Sequence, residues 1–294
     1  MRENAKTIGT ILVIPLILLA IAFLMDLQSY SNNQPLLACT LATLCVHLVA
    51  AVVSISLKTE KFFDITATVA VLSMLSIAVL SAQELTNRVM LLALLCATWT
   101  TRLGLFLWFR IKRDHKDRRF DQIKNDSSYF FITWEMSATW TFITTMAALC
   151  AITSSKQAPI TSIDFILTMG WLAAFAVEVC ADQQKSRFKQ QPQDTPFIQT
   201  GLWQYSRHPN YLGEILMWVF IAGIALPNLY NFTYLALLSP LFVYWVLTRL
   251  SGINLLEQQN DKQYGHLAEY SKYKEHTPVL WPNIFKLFIG QKSI

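Results

Sequence analysis

Uncharged hydrophobic runs alternate with short polar breaks along the whole chain. Thr7–Met25, Leu36–Leu57 and Val89–Thr101 contain no Asp, Glu, Lys or Arg. A helix needs about 20 apolar residues to cross the hydrocarbon core of a bilayer. The runs recur into the C-terminal half, so a cleaved leader does not explain them. Charged and Pro/Asn-rich breaks divide them into about eight spans, at 7–25, 36–57, 63–82, 89–109, 129–153, 161–181, 211–226 and 231–250, with seven to ten compatible with the pattern. The expected architecture is all-α: a polytopic membrane helix bundle forming one domain over 1–294. Val279–Ile289 is too short to span and predicts an interfacial segment.

Composition agrees. Of the 294 residues, 53% are apolar and 15% charged, against roughly a quarter charged in an ordinary soluble domain. A soluble enzyme is excluded. All five cysteines (Cys39, Cys45, Cys96, Cys150, Cys180) lie in apolar runs without metal-ligand spacing. They are expected to be small buried hydrophobes, with neither a disulfide framework nor a metal site.

Charge adds direction. With the N-terminus in the cytoplasm, 21 of the 24 Lys and Arg residues fall on cytoplasmic segments. Arg88 and Lys156 fall outside and Arg102 lies within a span. Such asymmetry orients short-looped membrane proteins. An even number of spans returns the C-terminus to the cytoplasm. The three longer polar segments, 110–128, 182–210 and 251–278, then share that face, which is where chemistry with a polar partner is expected. The net charge of +5 follows first from topology and lipid headgroups.

Two segments carry candidate chemistry. Glu178, Asp182, Lys185 and Lys189 are spaced by four, three and four, which puts them on one helical face. Acids in an apolar helix are functional candidates, although an ion pair with a neighbouring base such as Arg102 would also account for them. The second segment runs Gly201-Leu-Trp203-Gln-Tyr205-Ser-Arg207-His208-Pro209-Asn210-Tyr211-Leu-Gly213-Glu214 into an apolar helix. Proline suits a first helical turn, and free N–H groups there beside Arg207 suit an anion such as a phosphate. Elsewhere, His47 is expected to be packed and hydrogen-bonded, and Trp134-Glu135 is a candidate for a substrate cavity. None of the nine glycines forms Gly-x-Gly-x-x-Gly, so a Rossmann site is excluded.

The second segment, with Ala181-Asp182-x-Gln-Lys185-x-x-Phe188 before it, resembles the bacterial membrane family that contains the domain of unknown function 1295. That family is related to the C-terminal half of steroid 5α-reductases and to the sterol C14 and Δ7 reductases. Ser251-Gly-Ile-x-Leu-Leu-Glu257, Tyr264-Gly265, Tyr270-x-x-Tyr-Lys274 and Thr277-Pro-Val-Leu-x-Pro282 extend the resemblance over about 100–282.

The resemblance implies an integral membrane reductase, of the inner membrane in a bacterium, holding NADPH on its cytoplasmic side. It would reduce a C=C bond of a lipid or sterol-like substrate drawn from the bilayer. The cofactor site would lie in 178–265, with Glu178, Asp182, Lys185, Lys189, Trp203, Arg207, His208, Asn210, Glu214, Glu257, Asp261 and Tyr264 as cofactor residues. In the 5α-reductases the positions matching Glu178, Asp182 and Lys189 carry Asn, Asp and Arg, so only the Asp is retained. Tyr205 or Tyr211 is the expected proton donor. No nucleic acid and no obligate protein partner are expected. The alternative is an S-adenosylmethionine-dependent membrane methyltransferase of the isoprenylcysteine carboxyl type. Those enzymes share Arg-His-Pro-x-Tyr-x-Gly and a later acid-containing Tyr-Gly segment, partly matched by Glu257 to Gly265.

Overall fold

The computed structural model describes residues 2–28, 34–121, 123–191 and 195–282, except the side chains of 2–10, 12 and 118. Among them there is no strand. The helices are α1 (Arg2–Gln28), α2 (Pro35–Leu57), α3 (Phe63–Leu80), α4 (Asn87–Asp114), α5 (Ser127–Ile152), α6 (Ser162–Gln190), α7 (Pro209–Ala225), α8 (Ser239–Trp245), α9 (Ile253–Tyr264) and α10 (Ala268–His276). They divide into one compact unit of 1–161 and 221–239 and a second of 162–220 and 240–294.

Among the described residues, six stretches are long and apolar enough to cross a membrane: Pro35–Leu57, Phe63–Leu80, Asn87–Asp114, Ser162–Gln190, Pro209–Asn228 and Asn231–Tyr264. The expected first span appears as α1, whose shorter apolar stretch is Val13–Leu27. The expected fifth span is α5, which is long enough at 26 residues but less apolar. It is packed against α1, α2, α3 and α4, and sixteen of its residues are buried. A helix shielded by protein has no need to match lipid, so it carries Thr141, Thr144, Thr145 and Glu135 in its interior. Hydroxyls along it return to its own carbonyls, as Thr145 does to that of Thr141 at 2.8 Å. His47 is buried as expected, bonded at Nδ1 to the Thr43 carbonyl (2.9 Å) and at Nε2 to Ser137 Oγ (3.2 Å).

The expected eighth span, 231–250, is not one α-helix. Asn231–Leu238 is a 3₁₀ segment, α8 follows, and Val246–Leu250 is a π turn. Pro240 has no N–H to return to the carbonyl of Ala236, which interrupts an α ladder there.

Loops of the first unit gather into two clusters. In one, Arg88 is 1% exposed and donates to three carbonyls: Ala158 (3.2 Å), Pro159 (2.8 Å) and Ile224 (2.6 Å). Asn228 donates to the Ala151 carbonyl and Gln157 Oε1, and accepts from the Ala158 N–H at 2.9 Å. Lys156 Nζ reaches the Leu229 carbonyl at 3.4 Å. The two bases that break the charge asymmetry are thus used on backbone carbonyls of this cluster. In the other, Glu60 is buried and accepts from the Asp117 N–H and Lys124 Nζ, both at 3.0 Å. Burial pushes the Glu60 carboxyl up, but those hydrogen bonds outweigh it and hold it below the usual carboxylate range. The aromatic cluster of Phe63, Phe120, Phe130 and Trp134 lies in the same unit, with ring centroids 4.9–6.1 Å apart.

The cysteine expectation needs correction. Cys39, Cys96 and Cys150 are buried, but Cys45 and Cys180 are exposed. An apolar run fixes that a helix is lipid-compatible, not which of its faces turns inward. The part of the expected interfacial segment beyond residue 282 lies outside the described residues.

Candidate functional site

In the second unit α6 and α7 meet at a glycine. A Cβ at Gly213 would lie 2.7 Å from the Ala174 carbonyl oxygen and 2.9 Å from the Glu178 nitrogen, both α6 backbone. One turn earlier on α7, Asn210 Nδ2 donates to Asp182 Oδ1 at 3.2 Å. The pairs 178 with 213 and 182 with 210 give an antiparallel register. Glu178 and Asp182 are buried, Lys185 is half-buried and Lys189 is exposed. The stripe therefore runs from the packed interior to the surface along one face.

Beyond α6 the chain turns back at Gly201, whose φ of 64° is a left-handed conformation that favours glycine. Leu202 N–H then donates to Gln184 Oε1 at 2.9 Å. Trp203 is buried against α6, its Nε1 donating to the Ala181 carbonyl at 3.1 Å. Lys185 Nζ lies 4.7 Å from the centre of the Trp203 ring, an attractive cation–π placement.

Glu257, on α9, binds two adjacent residues of the motif. Its Oε2 pairs with Arg207 Nη2 at 3.0 Å and its Oε1 meets His208 Nε2 at 2.9 Å. Lys274 Nζ lies 3.7 Å from Oε2 and 2.6 Å from Asp261 Oδ1. The segment around 273–280 clasps 203–207: Tyr273 OH donates to the Trp203 carbonyl (2.7 Å), the Arg207 N–H to that of Pro278 (3.0 Å) and Ser206 Oγ to that of Leu280 (2.8 Å). Phe197 is inserted among Tyr264, Tyr270 and Tyr273 at 5.2–5.8 Å between centroids. The polar stretch 251–278 thus forms two helices, α9 and α10, docked on the motif.

Two buried polar atoms in this network have no hydrogen-bond partner among the described residues: Arg207 Nε and His208 Nδ1. With Nε2 directed at the Glu257 carboxylate, the neutral tautomer carries its proton there and leaves Nδ1 as an open acceptor. The imidazole is stacked on the Tyr211 ring, 5.7 Å between centroids and 7° between planes. Burial pushes the His208 pKa below its ordinary value, aided by Lys185 and Arg207 and opposed by Glu257.

A pH dependence follows. A group whose folded pKa lies below its unfolded one binds more protons when unfolded, so stability falls as pH drops through the unfolded value near 6.5. Melting temperatures measured at pH 7.5 and 5.5 should differ more in wild type than in His208→Gln. Equal differences would mean that His208 is not held neutral.

The structure brings together most of the residues the sequence singled out. Asp182 meets Asn210, and Lys185 meets Trp203. Arg207 and His208 share Glu257, while Tyr211 backs His208. Glu214 is buried one residue beyond the α6–α7 contact. Three residues take no part in these contacts. Lys189 is exposed at the end of α6, Tyr264 belongs to the aromatic cluster around Phe197, and Tyr205 is half-buried in the turn before α7. Sequence reasoning missed Lys274 and Tyr273 as partners of the motif. Their only signal was the Tyr-x-x-Tyr-Lys spacing, which does not say what lies opposite.

These features define an all-helical, multi-pass membrane protein with a buried polar cluster in its second unit. The chain belongs to the family described as protein of unknown function (DUF1295), which it matches over residues 50–277. That match begins within α2, well before the motifs that carry the resemblance. Neither the curated proteins nor the solved structures include a match to this chain.

Proposed function

We propose that this protein is an NADPH-dependent membrane oxidoreductase that reduces a C=C bond of a lipid or sterol-like molecule. The observation that carries the proposal is the pair of buried, unsatisfied atoms, Arg207 Nε and His208 Nδ1, beside the start of α7 and the acid–lysine face of α6. Buried polar atoms in native proteins are normally paired, so a polar ligand is a natural partner for them.

Glu257 already balances the charge of Arg207, and Lys185 and Lys189 put two further cations on the α6 face toward which phosphates would be drawn. Asp182, Asn210, Glu178 and Glu214 offer acceptors and an amide to ribose and carboxamide groups. Trp203 and Tyr264 supply aromatic walls, and Asp261 holds Lys274 in position. Tyr205 or Tyr211 would donate the proton, and the bound cofactor would supply hydride. The same proposal puts both termini and this site on the cytoplasmic side, a reading that the positive-inside asymmetry supports. Reporter fusions check that: one at Ile294 should report cytoplasmic and one near Asn228 external, and the reverse pattern overturns the orientation.

A second reading, the S-adenosylmethionine-dependent methyltransferase, is favoured by one observation. Glu257 bonds both Arg207 and His208, joining the two segments that such methyltransferases share. Titration of the purified protein separates the two. Reduction predicts tighter binding of NADPH than of NADH, with the preference weakened in Lys189→Ala. Binding of S-adenosylmethionine alone sinks the reductase.

A further inference from the structure

The first unit holds a cavity of about 280 Å³ with no part in the site described above. It is lined by one face of α2 (Leu44, Cys45, His47, Leu48, Ala51), one face of α5 (Phe131, Trp134, Glu135, Ala138), and Ile11 and Pro15 of α1. The positions on α2 and on α5 recur at helical spacing, so two helix stripes form its opposite walls.

Leu48 is half-exposed and Cys45 is exposed, so the cavity opens to the outer face of α2. That face also carries exposed Leu41, Val49 and Val52, and α2 is apolar enough to cross a bilayer. The medium at its mouth is therefore hydrocarbon. Two polar atoms on its α5 wall are buried without a hydrogen-bond partner among the described residues: Trp134 Nε1 and Glu135 Oε2. Pro15, on the α1 wall, has no N–H to return to the carbonyl of Ile11. His47 has both ring nitrogens engaged already.

We propose that this cavity binds a neutral amphiphile from the membrane: a hydrocarbon chain bearing a hydroxyl that hydrogen-bonds to Glu135. A hydroxyl fits because it donates to a carboxylate and accepts from a carboxylic acid, whichever form Glu135 takes. Its oxygen can also accept from the Trp134 N–H. An anionic headgroup finds no Lys or Arg among the lining residues. An ammonium brings three N–H groups and a full charge, more than one carboxylate can compensate in an apolar recess. The site lies wholly in the first unit and stands whether or not the second unit is a reductase.

The test uses the full-length protein in phosphatidylethanolamine–phosphatidylglycerol vesicles and a diazirine-bearing hexadecanol, with labelled residues mapped by mass spectrometry. Labelling should concentrate on Leu48, Phe131 and Ala138. Excess hexadecanol should compete it away and hexadecane should not. Ala138→Trp, which fills the recess, should reduce it at least fivefold. Cys45→Trp plugs the exposed mouth and gives the same loss without burdening the interior, with unchanged labelling on the outer face of α3 as the folding control. Glu135→Leu should weaken competition by hexadecanol about tenfold. Labelling spread evenly over the outer faces of α2 and α3 and insensitive to both tryptophans overturns the site. Equal competition by hexadecane, or an unaltered Glu135→Leu protein, overturns the hydroxyl ligand.

Discussion

Replacing Arg88 by methionine is expected to destabilise the first unit by at least about 3 kcal/mol, although the side chain is distant in sequence from every candidate site residue. Its guanidinium serves the carbonyls of Ala158, Pro159 and Ile224 at 2.6–3.2 Å, and the residue is 1% exposed. A buried acceptor left unsatisfied costs about 1–3 kcal/mol, and three are stranded at once. Ile224 lies in the last turn of α7, where carbonyls have no helical donor of their own. Methionine keeps most of the volume, so cavity formation does not confuse the result. Arg88→Lys should fall between the two, because an ammonium cannot span three carbonyls in a planar fork. Thermal unfolding of the three proteins in one detergent measures the order, and a methionine variant as stable as wild type contradicts it.

The second large effect is expected at Glu257. Arg207 and His208 converge on its two oxygens at 3.0 and 2.9 Å, and the side chains of Arg207 and Glu257 are only 10% and 16% exposed. Removing one member of a buried ion pair strands the other, typically at a cost of 3–5 kcal/mol. Glu257→Ala should therefore destabilise the second unit by about that much. Glu257→Gln keeps the shape and one acceptor, and should cost less. Hydrogen exchange of the amides in 203–212 gives the local readout, because the Arg207 N–H is bonded to the Pro278 carbonyl and the Leu212 N–H to that of His208. Unchanged protection in Glu257→Ala would show that the clasp around 273–280 holds the motif alone.

Helix positions were legible because uncharged runs mark them: the expected 36–57 and 63–82 became Pro35–Leu57 and Phe63–Leu80. Interior and lipid-facing helices were not distinguishable by apolarity alone. α5 is the most enclosed helix of the first unit and also one rich in hydroxyls, since protein rather than lipid surrounds it. Arg88 read as an exception to a charge rule, whereas its partners are carbonyls 70 to 136 residues away. A carbonyl carries no side-chain signature. The motif 207–214 was legible from its own crowding of polar residues at the start of an apolar helix. Its pairing with Glu257, 49 residues on, depends on how α9 docks, which no local spacing encodes. The eighth span was read as continuous because the hydropathy is continuous, while Pro240 interrupts only the hydrogen-bond ladder.

Asn210→Ala separates a ligand cradle from a helix start most directly. Asn210 is half-buried at the second residue of α7 and gives one hydrogen bond of 3.2 Å to Asp182. If the segment cradles NADPH, the variant should lose about 1–3 kcal/mol of binding, tenfold or more in affinity, while the ligand-free protein keeps its melting temperature. A destabilised variant that binds NADPH as tightly as wild type, per folded molecule, would contradict the cradle and leave the motif as a structural turn.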